Sequence, residues 1–196
     1  GRSVDIVRAA RSTGSLLKPF LYASMLEAGE LLPAQLVADI PTRIGGFQPE
    51  NNSKTYAGAV PADVALAHSL NVPAVRLLRQ HGLDRFAEEL RGLGMTSLTR
   101  TASSYGLTLV LGGAEGSLWD LTRMYAGMAR SAKGLPGFGI GAGACWVTLH
   151  ALLEVVKHLA HRGRGGHDDV HALRRHVELA VAQLVEQVLR QVAQRH

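Results

Sequence analysis

The stretch Arg11-Ser12-Thr13-Gly14-Ser15-Leu16-Leu17-Lys18-Pro19-Phe20-Leu21-Tyr22 decides how this chain reads. Ser12, Thr13 and Gly14 stand ahead of an apolar run, and Ser or Thr at such a boundary can cap free backbone N–H groups. The run from Leu16 to Ala28 predicts a helix over about 15–28, with Gly29 as its stop. Residues three apart share a helix face, so Ser15 and Lys18 are expected side by side. A serine hydroxyl is a weak nucleophile until a base takes its proton. A lysine serves as that base when burial favours its neutral form, and Leu16, Leu17, Phe20 and Leu21 supply apolar surroundings. The same tetrapeptide also fits a cap followed by a surface lysine whose stem lies along apolar neighbours.

A second cluster follows about fifty residues later, at Ser69-Leu70-Asn71. It falls between a helix opened by Pro61-Ala62-Asp63 and another opened by Pro73, which suits the first turn. A serine and an asparagine two apart at such a junction can face one cleft. There the hydroxyl relays a proton and the amide orients a carbonyl and the lysine. Taken alone, the pair equally fits a cap for the helix that starts at Pro73.

Together these segments resemble the transpeptidase domain of class A penicillin-binding proteins. The likeness rests on residues 11–22, on Ala65-Leu66-Ala67-His68-Ser69-Leu70-Asn71-Val72-Pro73-Ala74-Val75, and on Leu111-Gly112-Gly113-Ala114-Glu115 with Leu118, Leu121 and Tyr125-Ala126. The Ser-x-x-Lys element is a recognised motif of these enzymes. The resemblance implies a mainly α structure, the helical subdomain of the serine transpeptidase and β-lactamase-like α/β fold, with most of the sheet missing. It implies a D-Ala-D-Ala transpeptidase of peptidoglycan cross-linking that works through a serine acyl-enzyme and needs no cofactor. Ser15 would be the nucleophile, Lys18 its base, and Ser69 and Asn71 the proton shuttle and substrate holder. Stem peptides and β-lactams would be the partners, and the periplasmic face of the bacterial inner membrane the location.

The third family motif, Lys-Thr/Ser-Gly, does not occur in the sequence. Ala132-Lys133-Gly134 lacks the hydroxyl residue and falls in a glycine-dense loop, so it is no substitute. The likeness extends over residues 1–161, with Cys145 to Leu153 resembling a helix of the same domain. A Gly/Arg linker is expected at 162–166 and an amphipathic helical tail at 167–196, where Val170, Leu173, Val177, Val181, Leu184, Val188 and Val192 recur three or four apart. The chain reads as a piece of a longer protein, with any membrane anchor on a segment absent here. The alternative function is a catalytically inactive helical module that self-associates through the tail.

Other classes fit less well. Hydrophobic residues are 46% of the 196, which suits a globular core, and aromatics are only 5%, which leans towards helices built on Leu, Val and Ala. The net charge of +5 is spread without a long Lys/Arg run or interleaved aromatics, so no nucleic-acid partner is expected. Cys145 is the only cysteine, which rules out an intrachain disulfide, and it is expected in the core. Trp119 and Trp146 are expected to pack. His158 with His161, and His167 with Asp168, Asp169 and His171, have ligand-capable types, but exposed histidines on an arginine-rich helix explain them and no metal is expected. Residues 30–60 read as loop with a short helix near 33–38, residues 94–116 as a turn-rich connection, and Ser3 to Arg8 as a β-like run.

Overall fold

The computed structural model describes residues 7–162, and the side chains only to residue 153. Its elements are β1 (Arg11–Ser12), α1 (Lys18–Glu27), β2 (Leu36–Asp39), β3 (Gly58–Pro61), α2 (Ala62–Ala67), α3 (Asn71–His81), α4 (Leu83–Gly92), α5 (Ala102–Tyr105), β4 (Glu115–Gly116), α6 (Leu118–Ala132) and α7 (Ala142–Arg162). A 3-10 helix covers Gly106–Leu111. The strands form two antiparallel ribbons, β1 with β4 and β2 with β3. The described part is thus mainly helical, as expected.

α1 is the hub. Eight of its ten residues, Lys18 through Met25, are buried. A helix apolar on all sides belongs in the centre of a fold, and α1 packs against α2, α3, α4, α7 and the 3-10 helix. Phe20, Leu21 and Met25 lose nearly all their accessible surface, each worth about 1.5–3 kcal/mol of transfer free energy. Lys18 is buried because it lies on this central helix. α4 turns Phe86 and Leu90 to the same core.

Several expectations are corrected. α1 begins at Lys18, not at residue 15, so Ser15 lies in the turn before the helix. Leu17 is the N-cap residue and no side chain caps it. Residues 36–39 form a strand rather than a short helix: each of Leu36, Val37, Ala38 and Asp39 pairs with a residue of 58–61, and that ladder overrides local propensity. The 94–116 connection contains α5 and the 3-10 helix. Trp119 and Trp146 are more than half exposed; Trp146 stacks on His150 at a centroid separation of 5.1 Å. Cys145 is fully buried as expected. α7 includes Arg162, where the linker was expected to begin. Residues 3–6 of the β-like run, and nearly all of the linker and tail, lie outside the described residues, while Val7 and Arg8 form a turn.

Candidate active site

The turn that carries Ser15 is pinned from two sides. On one side β1 pairs with β4, Arg11 opposite Gly116 and Ser12 opposite Glu115. Ser12 Oγ donates to the Gly112 carbonyl at 2.8 Å, and the Thr13 N–H to the Ala114 carbonyl at 3.0 Å. So Ser12 and Thr13 tie the chain to Gly112 and Ala114 rather than cap α1. On the other side Tyr125 Oη donates to the Leu16 carbonyl at 2.8 Å. Tyr125 is buried, its ring meeting Phe20 edge-on at 4.8 Å, and burial pushes its phenol well above the ordinary range. Between these anchors Gly14 takes a positive φ of 53°, which lets the chain fold back without a side-chain clash. The Lys18 N–H then donates to the Ser15 carbonyl at 3.2 Å. Ser15 and Lys18 are therefore one turn apart, although only Lys18 is helical. Ser15 itself is half-buried.

Ser69 stands where α2 ends. The Leu70 N–H donates to the Ala65 carbonyl and the Ser69 N–H to the Leu66 carbonyl, both at 2.9 Å. This is the paired bonding of a helix C-terminus that reverses through a left-handed residue, usually glycine. Here that residue is Ser69, with φ +52°. A side chain at such a position costs about 1–3 kcal/mol, and strain of this kind collects at functional sites. Leu70 is extended and α3 starts at Asn71.

Lys18 Nζ joins the two clusters. It donates to the Ser69 carbonyl at 2.6 Å, to Ser69 Oγ at 3.1 Å and to Asn71 Oδ1 at 2.7 Å. Lys18 is 4% exposed, which excludes the surface-lysine alternative. Neither Ser69 nor Asn71 caps α3 with its side chain, which excludes the simple capping alternative. A neutral amine keeps two N–H groups and a lone pair. The two carbonyl-type oxygens can take those N–H groups while the Ser69 hydroxyl donates to the lone pair, since a hydroxyl serves in either sense. The cluster can thus hold the lysine in both protonation states and pass a proton through Ser69.

Sequence reasoning missed the supports. Asn51 Oδ1 accepts from the backbone N–H groups of Asn71 and Val72, and Asn71 Nδ2 donates to the Glu50 carbonyl. Asn51 lies in a stretch whose sequence signals only a loop, and the pattern that contains Gly112 gives no sign that it braces the turn carrying Ser15. Among the described residues no cluster of three His, Cys, Asp or Glu side chains is placed to hold a metal.

The sequence matches the family described as penicillin binding protein transpeptidase domain over residues 4–196. The chain belongs to the penicillin-binding protein transpeptidase family. Penicillin-binding protein 1C of Escherichia coli is 40% identical over 130 residues, which cover 66% of this chain and 17% of that protein. Penicillin-binding protein 1A of Escherichia coli is 34% identical over 130 residues, 62% of this chain and 15% of that protein. The chain therefore spans about a sixth of the length of these relatives. Among solved structures, the transpeptidase domain of Burkholderia pseudomallei penicillin-binding protein 3 superposes with a TM-score of 0.68 at 16% identity, over 77% of this chain and 55% of that one. Penicillin-binding protein 1A of Haemophilus influenzae gives 0.56 at 29% identity, over 65% of this chain and 19% of that one. The described residues are the helical portion of the penicillin-binding transpeptidase fold.

Proposed function

We propose that this chain carries the acylating half of a D-Ala-D-Ala transpeptidase site in peptidoglycan cross-linking. The observation that carries the reading is the buried Lys18 Nζ in contact with both Ser69 Oγ and Asn71 Oδ1, one turn from Ser15. Lys18, in its neutral form, takes the Ser15 hydroxyl proton as Oγ bonds to the carbonyl carbon of the penultimate D-Ala. The C–N bond breaks, and the proton returns through Ser69 to the departing amine of the terminal D-Ala. An amine of a neighbouring stem peptide then attacks the ester, forms the cross-link and restores Ser15. Asn71 holds Lys18 and offers its amide to a substrate carbonyl. A β-lactam acylates Ser15 by the same step, its ring C–N bond opening in place of the peptide bond.

The location consistent with this chemistry is the periplasmic face of the inner membrane; among the described residues no helix is long and apolar enough to cross a membrane. Because Lys-Thr-Gly and Lys-Ser-Gly are missing from these 196 residues, acylation should be slow. Loss of one oxyanion donor alone costs about 3–4 kcal/mol, or about 10²–10³-fold, in acyl-transfer enzymes. That same omission favours a second reading, an inactive helical module derived from the domain. Incubation with a fluorescent penicillin followed by a denaturing gel separates the two. The expected result is a covalent label that Ser15→Ala abolishes. Folded protein that stays unlabelled at high drug concentration refutes acylation and leaves the inactive module.

A further inference from the structure

α3 begins at Asn71 with no capping side chain of its own. Its first two N–H groups, of Asn71 and Val72, converge on Asn51 Oδ1 at 2.9 and 3.2 Å. The cap is therefore supplied from a loop twenty residues upstream. Asn51 has no freedom to turn its amide round. Its Nδ2 donates to Asp39 Oδ1 at 2.7 Å and to the Thr55 carbonyl at 3.0 Å. An ionised carboxylate only accepts, so Asp39 dictates which end of the amide it meets. A flipped amide would set Nδ2 against two backbone donors. Asp39 is itself fixed by the Ala57 N–H on Oδ2 at 2.9 Å, at the end of β2 opposite Gly58 of β3. Asp39 and Asn51 are 1% and 3% exposed. Next door, the Glu50 carbonyl accepts from Asn71 Nδ2 at 2.9 Å, which leaves Asn71 Oδ1 for Lys18. One dipeptide, Glu50-Asn51, thus sets both the backbone and the side chain of Asn71.

We propose that Asn51, locked in one orientation by Asp39, is a positioning residue for the Lys18–Ser69–Asn71 cluster, acting through Asn71. The β2–β3 ribbon and its connecting loop are then the template on which the lysine's partners are aligned. The proposal rests on the acylating reading for its rate consequence, not for its geometry. Two readouts keep them apart.

The first is acylation by a fluorescent penicillin. Asn51→Asp still offers oxygens to α3 but sets a second carboxylate against Asp39. It is expected to slow acylation at saturating drug by at least about tenfold, since misplacement of a reacting group by about 1 Å is enough to do so. The drug's apparent affinity should change little. The exchanged pair Asp39→Asn with Asn51→Asp restores one donor facing one carboxylate but sets an acceptor against the Thr55 carbonyl, and should recover at least about half of the lost rate on a logarithmic scale.

The second readout needs no activity. Asn51, Asn52 and Asn71 are the only asparagines, so selective 15N labelling gives three side-chain amide pairs, and Asn71→Asp assigns one by its loss. The Asn71 pair should leave its position in Asn51→Asp and return in the exchanged pair. Folded Asn51→Asp that is acylated at the starting rate with the Asn71 signals unmoved overturns the proposal. If Asn51→Asp alone does not fold, the exchanged pair decides: it must fold, be acylated and hold the Asn71 signals, and a folded pair that fails in these overturns the proposal. If the starting protein is not acylated at all, the function proposed above falls, and the Asn71 signals still decide whether Asn51 positions it.

Discussion

Replacing Gly112 with alanine drives a methyl group into the turn that carries Ser15. A Cβ there would stand 2.8 Å from Ser12 Oγ, 2.9 Å from Gly14 Cα and 3.0 Å from Gly14 N. Comfortable separations are about 3.5–4.0 Å, so the turn must retreat by about 0.5–1 Å. Two of the three atoms are backbone, which no rotamer change relieves. Gly112 also has φ +102°, a conformation that costs a side-chain-bearing residue about 1–3 kcal/mol. Retreat of Ser12 loosens its hydrogen bond to the Gly112 carbonyl, worth about 1 kcal/mol net. The sum is about 2–4 kcal/mol, which against about 5–15 kcal/mol for a domain leaves the protein folded. At about 2–4 °C per kcal/mol for a chain of this size, Gly112→Ala should melt about 5–15 °C lower. Ser15 follows Gly14 directly, so its hydroxyl moves with the turn and penicillin acylation should fall by about a hundredfold. Thermal melts by circular dichroism and gel-based acylation at 20–25 °C below both transitions give the two numbers. A melting point unchanged within about 2 °C, with an unchanged acylation rate, would refute the bracing role of Gly112.

Two further outcomes follow from titratable groups. The His81 hydrogen bond, and after it Arg85, hold the Glu30 carboxyl below its ordinary value of 4.5, against some opposition from burial. A depressed carboxylate stabilises the fold above its unfolded value, and that contribution is lost as pH falls through the folded one. Glu30→Gln should therefore melt below the parent at pH 7, with the gap closing as pH drops under about 4.5; a gap constant from pH 7 to 3 would sink this. Burial, reinforced by Glu27, pushes the Cys145 thiol up to about 11 against an opposing hydrogen bond from Ser131. At pH 8 its thiolate fraction is about a hundredfold below that of an ordinary thiol, so iodoacetamide should spare native Cys145 and modify it fully in denaturant. Native labelling at the rate of a free thiol would contradict its placement.

The helices were legible because their signals are local. Pro61 ahead of Ala62, Gly82 after His81, and Phe86 and Leu90 spaced along α4 each act within a turn or two of where they sit. The strands were not legible. β1 and β4 have two residues each, and their register is set by a partner about a hundred residues away. Leu36 to Asp39 suits helix or strand by composition, and only Gly58 to Pro61 decides between them.

The site divides in the same way. Ser15, Lys18, Ser69 and Asn71 could be singled out because the chemistry needs those residue types at short spacings, and those spacings survive in the chain. The sequence by itself determined this much: a candidate nucleophile, a candidate base and a hydroxyl–amide pair, each next to an apolar helix. The tertiary structure decided what they meet. Packing on all sides of α1 buries Lys18 and carries its Nζ across 51 and 53 residues to Ser69 and Asn71. Asn51 and Asp39, which bear no motif, orient Asn71 through hydrogen bonds that depend on donor and acceptor direction. Short-range spacing is written along the chain, whereas burial and hydrogen-bond direction exist only once distant segments are packed together.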